Sequence, residues 1–426
     1  MVLNYIWIGF FIIAFIFAII RFIGYYYRDF FFDIFSITFD NADLNVFSDI
    51  MTSTFSSAKT SIEVSIYLIG VMTLWLGIMK IGENGGAINA LSRLVGPFFQ
   101  KLFPEIPKNH PVFGSMLMNI SANMLGLDNA ATPLGLKAMG ELQEENKTKD
   151  TASNAQIMFL VLNASGLTII PISILAIRAA SGSANPTEVF IPILIATFAA
   201  TLAGLTAVAI RQKINLFDKV IMAYLGSAIA LILGMVLYFR TLSPDKLNTV
   251  ASFGGNFLIF SIIITFILLA LRKKINIYES FIEGAKDGFN VAVKIIPYLV
   301  AMLVAIGVFR ASGALDILND FVRHIVAYLG YNTDFVDALP TLYMKPLSGS
   351  GSRGMMVETI SNFGVDSFAA RLSAIFQGST ETTFYIIAVY YGAVGVKRTR
   401  YTVGCGLIAD LAGAITAIFV AYLFFH

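Results

Sequence analysis

Six hydrogen-bonding side chains crowd the stretch FQGSTETTFYIIAVYYG (376–392) just ahead of an apolar run: Gln377, Ser379, Thr380, Glu381, Thr382 and Thr383. Gly378 weakens a helix there by about 1 kcal/mol relative to alanine. A broken helix frees backbone N–H and C=O groups, and the N-terminal end of its second limb favours anions. Glu381 is therefore suited to bind a coupling cation, carry a proton, or accept from a solute hydroxyl or amine. An ionisable residue inside a membrane is a functional candidate by default. The bland alternative is a carboxylate locked to Arg353 or Arg371.

Three further stretches carry similar chemistry. NISANMLGLDNAATPLG (119–135) offers Asn119, Ser121, Asn123, Asp128, Asn129 and Thr132 in an apolar setting. Hard cations prefer oxygen ligands, so a sodium-like ion suits this set; the alternative is an interfacial turn with local Asx caps. SGSGSRGMM (348–356) contributes Ser348, Ser350, Ser352 and Arg353. The guanidinium offers a planar fork to a carboxylate or phosphate, or else pairs internally with Glu358 or Glu381. The GK[ST] ending of a P-loop is missing. LVLNASGLTIIP (160–171) adds Asn163, Ser165 and Thr168 ahead of Pro171, and Asp410 lies within the last apolar run. Small polar residues also serve ordinary helix packing.

The elements that must position these groups are membrane helices. Of 426 residues, 57% are hydrophobic and 13% charged, against about 25% charged in soluble domains. A net charge of +2 gives no footing for nucleic acid, and the single Cys405 forms no internal disulfide. The three histidines, at 110, 324 and 426, are too scattered for a metal cluster. No Ser–His–Asp set or nucleotide fingerprint is present, so no enzyme is expected. A span needs about 20 apolar residues, which predicts helices over 3–23, 62–82, 155–177, 189–210, 220–239, 253–271, 296–311, 372–395 and 402–424. The first reads as a retained anchor, not a signal peptide. Segment 278–300 reads as an amphipathic helix on the cytoplasmic face that runs into the span 296–311. Regions 113–142 and 339–364 are too broken by Gly, Ser, Asn and Pro to span. Unpaired backbone in lipid costs several kcal/mol per group, so re-entrant hairpins are expected there.

Basic residues place RQK (211–213), RKK (272–274) and KRTR (397–400) in the cytoplasm and the acidic 24–61 segment outside. The halves look alike: Gly77 falls on Gly307, Lys80 on Arg310, Asn163 on Gln377, Ser165 on Ser379 and Thr168 on Thr382. With the charge rule, the first helices of the halves run in opposite directions, the inverted repeat of many transporters.

MNISANMLGLDNAATPLGLKAMGELQEEN (118–146) resembles the signature of spore maturation protein A. KPLSGSGSRGMM (345–356) and FQGSTETTFYIIAVYYGAVGVKRTRYTVGCGLIADLAG (376–413) resemble spore maturation protein B. The likeness, over about 60–425, is to a fusion of the two within the nucleoside-recognition, or Gate, group. That group includes the concentrative nucleoside transporters and the membrane part of FeoB iron transporters.

The resemblance implies an inner-membrane protein of transporter-like build and supplies no substrate. In the nucleoside transporters a similar Gln/Thr/Glu cluster contacts nucleoside, which matches 377–382 by residue type. The expectation is an all-α polytopic membrane protein with two inverted repeats, related to the concentrative nucleoside transporter core. Its parts are an anchor and outer segment (1–60), a first Gate repeat (61–215), connecting helices (216–275) and a second Gate repeat (276–426). The expected function is secondary transport of a small polar solute, nucleoside-like or anionic, coupled to sodium or protons, in the bacterial inner membrane. A non-transporting accessory protein is the alternative. The partners would be the lipid bilayer, the solute and further copies of the chain. The proposed solute ligands are Gln377, Ser379, Thr380, Glu381, Thr382, Asn119, Asn123, Asp128, Asn129, Asn163, Ser350 and Arg353.

Overall fold

A computed structural model describes residues 2–35, 38–107, 110–126, 128–242 and 244–426. The chain opens with α1 (Val2–Tyr26), the short α2 (Arg28–Phe35) and α3 (Asn41–Leu44), then the long α4 (Val46–Gly85) and α5 (Ala87–Leu102). A hairpin of α6 (Val112–Met124) and α7 (Asp128–Glu144) precedes a broken helix, α8 (Asn154–Ser165) and α9 (Ile172–Ala180), and then α10 (Phe190–Gln212). Helices α11 (Lys219–Arg240) and α12 (Pro244–Arg272) connect to α13 (Ile277–Ala311) and α14 (Ala314–Tyr328). The order then recurs: a hairpin of α15 (Leu339–Met344) and α16 (Gly349–Phe363), a broken helix of α17 (Phe368–Ser379) and α18 (Thr383–Val394), and α19 (Thr402–Phe425).

Among the described residues, α1, α4, α10, α11, α12, α13 and α19 are long and apolar enough to cross a membrane, so the chain is a multi-pass membrane protein. The stretches 155–177 and 372–395 are the two broken helices expected there. Helix α6, with 13 residues, reaches about 20 Å, short of a hydrocarbon core of about 30 Å.

Two expectations need correcting. Residues 278–300 run into 296–311 as expected, within the 35-residue α13, but they do not lie on a surface: Gly284 and Gly288 pack against α4. The span expected from residue 62 starts earlier, since α4 begins at Val46 and takes in the polar stretch ahead of it. Its hydroxyls bond back into the helix, Thr54 to Ile50 O at 2.8 Å, Ser61 to Ser57 O at 2.7 Å and Ser65 to Ser61 O at 2.6 Å, which satisfies polar groups without leaving the helix.

Helices α4 and α13 pack antiparallel, with backbones nearly touching. A Cβ at Gly288 would stand 2.5 Å from Met72 O, one at Gly284 would fall on Leu76 O, and Gly307 faces Ser57 and Ser53. Helices α10 and α19 are likewise antiparallel: Gly204 meets Ala409, and Gly413 meets Ala200. Positive φ at Gly86 (90°) and Gly313 (84°) turns the chain from α4 into α5 and from α13 into α14. Only glycine takes that conformation cheaply.

One charged clamp ties the halves. Arg178, fully buried on α9, bonds Glu188 at 2.6 Å, Asp366 at 2.9 Å and Val365 O at 2.9 Å, and Arg371 on α17 bonds Glu188 at 2.7 Å. Burial works against the charged form of Asp366. The Ser183 hydroxyl, the Ala184 N–H and the Arg178 guanidinium nevertheless hold its carboxyl below its usual range. Breaking a buried pair costs about 3–5 kcal/mol. Arg178→Met should fall at the lower end, about 3 kcal/mol, because Arg371 still holds Glu188. Thermal unfolding of the variant checks this, and an unchanged midpoint refutes it. The corresponding loops of the other repeat pair through backbone: Lys397 N and Arg398 N donate to Asp150 O at 2.8 and 2.9 Å.

Candidate functional site

The two helix breaks meet one another. The first follows Ser165, where Gly166 takes φ 55° and closes α8. The second is the extended Thr380–Thr382 segment after α17. Glu381 N donates to Ala164 O at 2.9 Å, and a Cβ on Gly166 would stand 2.9 Å from Glu381 Cγ. Each break is also tied to its own hairpin turn, Ile169 N to Met124 O at 2.7 Å and Phe384 N to Pro346 O at 3.0 Å.

Both breaks fall within the stretches the sequence singles out, but not at the residues expected to cause them. Pro171 caps the start of α9, after the first break has already begun at Gly166. Gly378 lies inside α17, where a Cβ would stand 2.7 Å from Ile193 and 2.9 Å from Ile174. Its role is close packing of α17, not loosening of the helix.

A cavity of about 660 Å³ opens between the hairpin turns and the second break. Asn123, Asn163, Ser350, Arg353, Glu381 and Thr382 all line it, and Tyr385 and Tyr390 form an aromatic wall. Asn123 donates to Asn163 Oδ1 at 2.8 Å, joining the first hairpin to the first broken helix. A smaller adjoining cavity shares Glu381 and Arg353 and adds Gln377, Thr380 and Lys345, with Met72 and Leu76 of α4 behind them.

Not every candidate faces these spaces. Asn119 is fully buried and donates to Ala131 O at 2.7 Å, which closes the first hairpin. Ser379 returns to Phe376 O at 2.9 Å within α17. The side chains of Asp128 and Asn129 lie outside the described residues.

The charges are the informative part. Arg371 is engaged with Glu188, and Arg310 is engaged with Glu358, Nη2 to Oε2 at 3.0 Å. Both internal partners suggested for Glu381 and Arg353 outside the cavity are thus taken. Among the described residues neither Glu381 nor Arg353 forms an ion pair, though both line the same cavities. Helix α16 adds its N-terminus: Ser348 accepts from Gly351 N at 3.0 Å, and Gly349 and Ser350 line the larger cavity. The N-terminus of α18 arrives through Thr382.

One residue of the site has no counterpart among the candidates. Lys345, only 4% exposed, donates from Nζ to Gln377 O at 2.6 Å. Its stretch, YMKPL, reads as an ordinary turn lysine. The available signal was a second cation, besides Arg353, close to the turn of an otherwise mostly uncharged hairpin.

The fold and cavity define a multi-pass helical membrane protein whose two similar halves each bring a hairpin and a broken helix to one polar centre. The chain belongs to the Gate family, described as nucleoside recognition, whose model matches residues 65–181 and 292–397. Those two matches run from within α4 through α9 and from within α13 through α18. The chain is 44% identical over 164 residues to spore maturation protein B of Bacillus subtilis, which covers 90% of that protein and 38% of this chain. It is 42% identical over 164 residues to spore maturation protein A of the same organism, covering 82% of that protein and 38% of this chain. No solved structure matches.

Proposed function

We propose that the protein is a secondary transporter of a small polar solute in the bacterial inner membrane, coupled to an ion or proton. The observation that carries this reading is a pair of charges, Glu381 and Arg353, that form no ion pair among the described residues and line one cavity built by both hairpin turns and the second break. Both groups are half-buried, and removing an unpaired charge from water is costly, so a solute that displaces water from the cavity would have to supply the partner. Arg353 and the two helix N-termini favour an anionic group, Glu381 favours a hydroxyl or amine, and the family description favours a nucleoside-like solute. Inverted repeats related to the nucleoside transporter core are part of this reading. The antiparallel α4/α13 and α10/α19 pairs support them. Alternating access would then come from one bundle moving against the other about the fixed cavity.

The names of the relatives support a second reading, an accessory protein of spore or envelope maturation that transports nothing. Uptake of a metabolite panel into proteoliposomes separates the two. A carrier should accumulate at least one solute and lose that flux in the Glu381→Gln, Asp128→Asn double variant. Unchanged flux in that variant removes the proposed site, and no uptake of any solute favours the accessory reading.

A further inference from the structure

The second break carries a charge that the first lacks. Lys345 follows the last residue of α15 and caps it, and at the same place after α6 the chain has Leu125. The Lys345 ammonium is removed from water and aimed at Gln377 O. That carbonyl belongs to the last turn of α17, whose carbonyls have no intrahelical partner and carry the negative end of the helix dipole.

Two more oxygens at this break are buried and lack a hydrogen-bond donor among the described residues: Gln377 Oε1 and Asp410 Oδ1. Asp410 is 7% exposed on α19, and its other oxygen accepts from Thr383 at 2.8 Å. Asp410 lies within electrostatic reach of Lys345. The break therefore gathers a helix-end carbonyl, an amide oxygen and a carboxylate in a desolvated place, a donor set suited to a hard cation. A negative centre of this kind is stable only when a positive charge is present.

Resting on the transporter reading above, we propose that the Lys345 ammonium is the resident cation of this oxygen cage. The chain thus carries covalently the charge that a sodium ion would otherwise supply, and transport proceeds without sodium. Among the described residues, the other charged groups facing Lys345 are Asp410 from α19, with Glu381 and Arg353 across the smaller cavity. The proton is left as the coupling ion.

The test compares thermal unfolding of the purified full-length protein in sodium chloride and in choline chloride at equal ionic strength. The native chain should show the same midpoint in both. Lys345→Ala opens the cage, and Lys345→Gln keeps a donor to Gln377 O without the charge and so preserves the fold. Both variants should gain a saturable sodium-specific rise of roughly 2 °C or more. A sodium-specific rise in the native chain overturns the inference. So does a folded Lys345→Gln chain that is indifferent to sodium. The readout is ion binding, so the pattern appearing in a chain with no measurable flux would sink only the transporter reading. Sodium-dependent flux by the native chain would sink only this inference.

Discussion

Gly288→Leu should prevent the chain from accumulating as a folded membrane protein. At this position α13 meets α4 backbone to backbone: an added Cβ stands 2.5 Å from Met72 O and 2.7 Å from Thr73 Cα. One turn away, Gly284 is equally tight against Leu76 O. Overpacking a core usually costs about 1–3 kcal/mol because side chains yield. Here the obstacle is main chain, which cannot rotate aside, so the two helices must separate. Small residues allow close approach between membrane helices, and separation would forfeit contact along both. It would also displace Met72 and Leu76 from the wall of the smaller cavity. Size-exclusion profiles and thermal unfolding check the outcome. A monodisperse Gly288→Leu protein with an unshifted midpoint would show that the close approach is not needed.

Arg353→Met should weaken binding of an anionic solute by roughly 10- to 100-fold. That range corresponds to losing one charge-assisted hydrogen bond of about 1.5–3 kcal/mol. The fold should survive, because Arg353 forms no ion pair among the described residues and is only half-buried. Glu381→Gln should act on the same solute through its donor groups. If both side chains hold one molecule, the double variant should deviate from the sum of the singles by more than the few tenths of a kcal/mol seen for independent sites. Equilibrium binding of a solute found in the uptake panel measures this. Additive losses would place the two charges in separate sites.

The charged and polar motifs were legible because each is anomalous in its surroundings. Glu381 and Arg353 interrupt apolar or glycine-rich sequence, and the structure brings both to one cavity. The paired order of elements was legible too, since hairpin and broken helix recur in each half. What the sequence concealed follows from how membrane helices bury surface. Residues 278–300 look amphipathic because Glu279, Glu283, Lys286 and Asp287 line one side. The opposite side meets α4 through Gly284 and Gly288, and glycine contributes no hydropathy to announce a contact. The start of α4 was hidden by serines and threonines whose hydroxyls are satisfied within the helix itself. Lys345 was invisible for a different reason. Its partner, Gln377 O, is a main-chain atom 32 residues away, and a carbonyl acceptor leaves no trace in residue type.

The unbroken α4 and α13 set a limit on how this molecule deforms. At 40 and 35 residues they measure about 60 and 50 Å, well beyond the hydrocarbon thickness. Locked together through glycine, they form a stiff mast. The interrupted α8/α9 and α17/α18 have their pivots where the two breaks touch. Mechanical work done on one face would therefore reach the other by rocking about that point of contact, with the mast as stator.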